Sequence, residues 1–190
     1  DLARFDAALE FRFKPDQTWD SADPEDKAAV QRLWQWIYSC KGNPTKFQTE
    51  YQEYFLNEAP FAWYLFTDYF MAVDNRAKNM MLVTWDGVHW MFIPYDMDTL
   101  FGLRNDSYLK YGYTITHETF DDSIGSYAFA GHDSILWELV RACPDKLREV
   151  AETIRSNMSL EYVLQVFNEQ EMGNWCERIY NKDGIFKYVT

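Results

Sequence analysis

The chain is poor in the residues that most often announce a site. Its three cysteines, Cys40, Cys143 and Cys176, are far apart, odd in number and in no C-x-x-C pair. Neither a thiolate zinc site nor a disulfide framework is therefore indicated. There are three histidines, His89, His117 and His132, and no HExxH, which argues against a histidine metal centre. Glycine (8) and proline (6) are too sparse and scattered to build a linker or a low-complexity tract. Long apolar runs are absent as well. Glu58 and Asp68 interrupt the greasiest stretch, around 59–70, so no membrane span is expected. Basic residues number 18 against 30 acidic ones, a net charge of −12. Nucleic-acid phosphates would be repelled by most of such a surface. A nucleotide remains compatible with it provided divalent cations stand between the two. The chain opens at Asp1 with neither an initiator Met nor a signal peptide, so Asp1 is expected to be internal to a longer protein.

What is present is apolar bulk: 47% hydrophobic and 18% aromatic residues over 190 positions. That is enough for a real core, and the length bounds the chain to one domain or one lobe of a larger one. Residues 9–14 alternate apolar and charged, a strand period stopped by Pro15. Asp23-Pro24-Glu25-Asp26 is a helix start, and Val30, Leu33, Trp34, Ile37 and Tyr38 follow on one face. A second helix is expected over about Lys46 to Asn57. A third starts near Pro60, with Ala62, Leu65, Phe66, Tyr69, Phe70 and Val73 as its apolar stripe. The aromatic set Trp63, Tyr64, Phe66, Tyr69 and Phe70 reads as helix core rather than as a ligand platform. Two short apolar runs, 79–85 and 88–94, flank Asp86-Gly87, the pattern of a hairpin. Residues 103–132 read as a long loop. Residues 133–190 read as a helical tail, ending in a short helix around Trp175–Tyr180.

The hairpin concentrates the acidic residues. A two-residue Asp86-Gly87 turn would set Trp85 against Val88, Asn79 opposite Pro94 and Ala77 opposite Asp96. Asp74, Asn79, Asp96 and Asp98 would then share its open end. Carboxylates gathered in this way repel one another unless a cation intervenes, and oxygen-only donors favour Mg²⁺, Mn²⁺ or Ca²⁺. Asp74 to Asn79 also has the D-x-x-x-x-N spacing of a protein-kinase catalytic loop, followed by a hairpin and then by a further acid. No His-Arg-Asp or Asp-Phe-Gly accompanies it. The residues alone equally admit Asp74 and Asn79 as turn formers, Asp96 and Asp98 as a loop pair, and Arg76 and Lys78 as solvated cations.

Asp74-Asn75-Arg76-Ala77-Lys78-Asn79, with Trp90-Met91-Phe92-Ile93-Pro94-Tyr95-Asp96-Met97-Asp98 and the Phe101-Gly102 that follows, resembles the signature of the spore-coat protein H (CotH) kinase family. The resemblance extends over about residues 20–185. It implies an α+β, mostly helical fold: a kinase-like C-lobe whose central hairpin bears the acidic site, with the N-lobe largely absent and residues 1–22 a remnant strand and loop. It implies a metal-dependent atypical protein kinase using ATP with Mg²⁺ or Mn²⁺. Asp74 would be the catalytic residue; Asp96, Asn79 and Asp98 would hold metal; Lys78 and Arg76 would meet phosphate. Implied partners are a protein substrate or assembly partner and the remainder of a longer chain, in a coat, cell-surface, extracellular or virion setting. Tyr95 departs from the family's usual Trp. The few, mostly helical residues before Asp74 leave no room for a nucleotide-covering lobe, so the chain is expected to be a fragment with that lobe upstream. The alternative is a non-catalytic assembly module that retains the fold. A calcium-stabilised adhesion domain fits less well, because the oxygen ligands follow no EF-hand pattern.

Overall fold

The computed structural model describes residues 20–70, 72, 75, 80–97, 100 and 135–169. The strand expected over 9–14, the loop over 103–132 and the helix around Trp175–Tyr180 lie outside them. Among the described residues the fold is mostly helical with one small antiparallel sheet. In chain order the elements are α1 (Pro24–Ser39), α2 (Pro44–Glu50), a 3-10 turn (Tyr51–Glu53), α3 (Ala59–Tyr69), β1 (Met80–Thr84), β2 (Trp90–Pro94), α4 (Ile135–Arg141), α5 (Pro144–Asn157) and α6 (Leu160–Glu169). These residues fall into two compact units that divide after Val150. No described helix is long and apolar enough to cross a membrane.

Helix α1 starts as its sequence requires, with Pro24 in the first turn and Glu25 and Asp26 near the positive end of the helix dipole. It buries Val30, Leu33, Trp36 and Ile37, whereas Tyr38, expected on this face, is exposed. The reason is aromatic: Trp36 stacks on Tyr54 at 4.2 Å and on Phe47 at 5.6 Å, and a ring at position 38 would point away from both. Helix α2 begins earlier than expected, because the Asn43 side chain accepts a hydrogen bond from the Lys46 amide and Pro44 occupies the first turn. It also ends well before Asn57. The Trp90 amide donates to Tyr54 O (2.9 Å) and the Leu56 amide to Trp90 O (2.9 Å). This parallel bridge between Phe55 and Trp90 holds the chain out of helix.

In α3 the buried residues are Pro60, Phe61, Trp63, Tyr64 and Thr67. Of the expected stripe, Ala62, Leu65, Phe66 and Phe70 are only half-buried, and Tyr69 is 82% exposed. The aromatic set is thus core at Trp63 and Tyr64 but not at Tyr69. Helix α4 is short, yet it packs against α1, α2 and α3, burying Leu136, Trp137, Leu139 and Val140. Phe92 of β2 closes the core from the sheet side, with ring centroids 5.4 Å from Trp63, 5.5 Å from Trp137 and 5.8 Å from Phe55. In the second unit, α6 is preceded by Ser159, whose hydroxyl accepts from the Tyr162 amide as a helix cap.

The hairpin differs from its expected register by one residue. Met80 pairs with Pro94, Met81 with Ile93, Leu82 with Phe92, Val83 with Met91 and Thr84 with Trp90. Neither Trp85 with Val88 nor Asn79 with Pro94 is a pair. The shift moves Leu82 and Met80 onto the face of Phe92 and Trp90 in place of Met81 and Val83. Its cause is a five-residue connection rather than a two-residue turn. Asp86 Oδ1 accepts from the amides of Val88 and His89 (2.8 Å each) and from the Thr84 hydroxyl (3.2 Å), so the carboxylate builds the loop. Gly87 supplies the left-handed residue at φ 67°. Arg32 of α1 donates to Gly87 O at 2.6 Å, tethering the tip.

His89 Nδ1 lies 2.6 Å from Asp86 Oδ2; an ionised carboxylate can only accept, so the ring nitrogen donates. The His89 ring first, then the His89 and Val88 amides, hold the Asp86 carboxyl well below the usual carboxylate range. A carboxyl so depressed stabilises the fold at neutral pH, and that contribution is lost as pH falls below the ordinary carboxylate value toward the folded one. Between about pH 5 and pH 2 the wild-type melting temperature is therefore expected to fall more steeply than that of Asp86→Asn. Parallel melting curves across that range would contradict it.

Candidate functional site

The site is built where the chain leaves α3 and where it leaves β2. At the end of α3 the Thr67 hydroxyl donates back to Trp63 O and Tyr64 O (2.9 Å each), while the Ala72 amide donates to Thr67 O (2.9 Å). The Asn75 amide then donates to Ala72 O (3.1 Å), and Trp63 Nε1 donates to Asn75 O (3.0 Å). Buried main-chain groups need partners, and these bonds fix the backbone at residue 75 against α3.

Asn75 is fully buried. Its side-chain Nδ2 donates to Tyr95 O at 2.9 Å and lies 3.2 Å from Met97 Sδ. The segment that precedes β1 and the segment that follows β2 are therefore joined. Of Asp74, Asn79, Asp96 and Asp98, expected to share the open end of the hairpin, only Asp96 is among the described residues. Neither cross-strand pairing nor the spacing of acids pointed to Asn75, which sits at an unspecified position of D-x-x-x-x-N; a single Asn in a turn is too ordinary to stand out.

Asp96 follows Tyr95 directly and is exposed, with φ at 52°. Aspartate is one of the few side chains that tolerate the left-handed region, and the conformation still costs about 1 kcal/mol. Strain kept at one exposed acid beside a buried clamp is a reason to look for function there. Of the other expected site residues, Asp74, Asn79 and Asp98 and the cations Arg76 and Lys78 lie outside the described residues. Among the described residues no three carboxylates, histidines or cysteines come together. Cys40 and Cys143 are buried, and burial pushes both thiols up, which suits inert core cysteines rather than nucleophiles.

The site thus consists of one buried amide pinning two backbone segments, and one exposed carboxylate held immediately beyond the pin. Comparison with curated proteins and with solved structures gives no match. The family model described as CotH kinase protein, by contrast, matches residues 3–180, nearly the whole chain including both segments of the site. The chain belongs to the CotH kinase family.

Proposed function

We propose that this chain carries the catalytic part of an atypical protein kinase that transfers the γ-phosphoryl group of ATP to a protein hydroxyl in the presence of Mg²⁺ or Mn²⁺. The bond from the γ-phosphorus to the bridging oxygen of ADP breaks and a bond to the acceptor oxygen forms. The acceptor's proton goes to a carboxylate, and ADP leaves. Asp74 takes the role of orienting and deprotonating the hydroxyl, and Asp96, Asn79 and Asp98 that of holding metal. Arg76 and Lys78 are the cations available to the phosphates. All three candidate ligands offer oxygen, the donor type hard divalent ions require. A bound cation would neutralise the charge that develops on the transferred group. The chain's own residues contribute position: the observation that carries this reading is the Asn75 bond to Tyr95 O, which joins the two signature segments beside an exposed Asp96.

Titrating Mg²⁺–ATP, and Mn²⁺ alone, into the full-length protein by calorimetry tests it, followed by transfer of labelled γ-phosphate to protein. Nucleotide binding that requires the metal, with label appearing on protein, is the expected result. A folded protein that binds neither metal nor nucleotide overturns it, and the non-catalytic assembly module becomes the better reading.

A further inference from the structure

Asn75 offers more than a description of the site. A fully buried amide is expensive to desolvate unless its hydrogen bonds are made. Here the side-chain amide donates to Tyr95 O and lies 3.2 Å from Met97 Sδ, both beyond β2. Asn75 is the chain neighbour of Asp74, and Tyr95 is the chain neighbour of Asp96. One hydrogen bond of 2.9 Å thus connects the residues adjacent to the candidate proton acceptor and to the candidate metal ligand. On the far side, Trp63 Nε1 donates to Asn75 O at 3.0 Å, so the clamp is anchored to α3.

The geometry points to Asn75 as a positioning residue for phosphoryl transfer, holding the backbone that carries Asp96 to the residue that follows Asp74 in the chain. The inference rests on the kinase reading above. Asn75 is not assigned to substrate, metal or nucleotide; it acts through its two neighbours. The chemistry of the contact selects the residue type. A carbonyl acceptor needs a neutral donor on a short arm: Asp presents an acceptor to an acceptor, Ala presents nothing, and Gln is one methylene too long for a closed site. The clamp is also expected to separate two kinetic quantities. Asp96, with Asn79 and Asp98, would hold metal and nucleotide in the ground state without the clamp. The spacing between proton acceptor and metal ligand matters chiefly in the transition state, where a misplacement of about 1 Å costs about a hundredfold.

The test compares wild type with Asn75→Asp, Asn75→Ala and Trp63→Phe in the full-length protein. Active sites are counted from the Mg²⁺–ATP binding stoichiometry, and kcat is expressed per site. Asn75→Asp is isosteric, and Trp63→Phe keeps an aromatic ring, though a smaller one, while removing the donor to Asn75 O, so the test survives if Asn75→Ala does not fold. Both Asn75 variants are expected to lower kcat per site by about 30- to 100-fold while the KM for ATP stays within about threefold. Trp63→Phe is expected to lower kcat in the same direction by less. A double variant with Asn75→Ala should then fall short of the product of the two single effects. Asn75→Asp with kcat per site within about threefold of wild type overturns the inference and leaves the kinase reading standing. A loss that merely follows the number of binding sites overturns it too, since a purely structural residue would give that. Wild type without metal-dependent transfer overturns the kinase reading first, and this inference with it.

Discussion

Replacing Asp96 with Asn is expected to leave the protein folded and to weaken metal-dependent nucleotide binding by at least about 100-fold, since even outer-shell partners of a metal are worth about 10- to 100-fold. Phosphoryl transfer should fall by at least as much. The choice of Asn follows from the backbone. Asp96 sits at φ 52°, a conformation Asn adopts about as readily as Asp, whereas Ala would add about 1 kcal/mol of strain. Comparing Asp96→Asn, Asp96→Gly and Asp96→Ala therefore separates ligation from conformation. If the carboxylate is the ligand, all three lose binding to a similar degree in calorimetry, and only Ala shows an added loss of stability. Binding retained by Asn and Gly but lost by Ala would assign Asp96 a purely conformational role and remove it from the metal site.

The largest stability effect is expected at Phe92. Its ring lies against Phe55, Trp63 and Trp137, so it joins the sheet to the chain before α3, to α3 itself and to α4. Truncation to Ala removes those contacts and leaves a cavity among large rings that cannot collapse around it. The expected cost is about 3–5 kcal/mol, a large share of the roughly 5–15 kcal/mol that holds a typical domain together. Phe92→Leu should cost clearly less. Chemical denaturation monitored by tryptophan emission measures both. A Phe92→Ala cost below about 1 kcal/mol would mean that the hairpin is held from elsewhere. Because Tyr95 and Asp96 follow Phe92 along the same strand and its exit, Phe92→Ala is also expected to weaken the site without touching any of its polar groups.

Much of this was legible in the sequence, and the errors share a cause. Helical spacing located α1, α3 and the helices from Ile135 onward, and Asp86-Gly87 located the hairpin. The buried face of α3 was not legible, because apolar residues lie all round that helix; which of them is core depends on Phe92 and Trp137, which arrive from elsewhere in the chain. Trp36 displaced Tyr38 for the same reason, since Tyr54 and Phe47 select it. The hairpin register turned on the Asp86 carboxylate reaching two amides beyond itself, and Asp-Gly in the sequence is silent about which of its hydrogen bonds will form. At the site, the spacing of acids singles out the segment before β1 and the segment after β2, while Asp74, Asn79 and Asp98 themselves lie outside the described residues. The contact that joins them belongs to Asn75, a residue whose meaning exists only once Tyr95 O has come within reach.

The loop at the hairpin tip also bears on how the protein ages. Asp-Gly steps are the ones most prone to isomerise, because the glycine nitrogen can attack the preceding carboxyl and close a succinimide ring. That reaction needs a carboxyl free to turn and, for the most part, protonated. The Asp86 carboxyl is neither: three backbone and side-chain donors and the His89 ring hold it in place and keep it ionised. The fold thus shields one of the chain's two Asp-Gly steps, the other being Asp183-Gly184, and peptide mapping of stored protein should find isoaspartate at position 86 chiefly after unfolding.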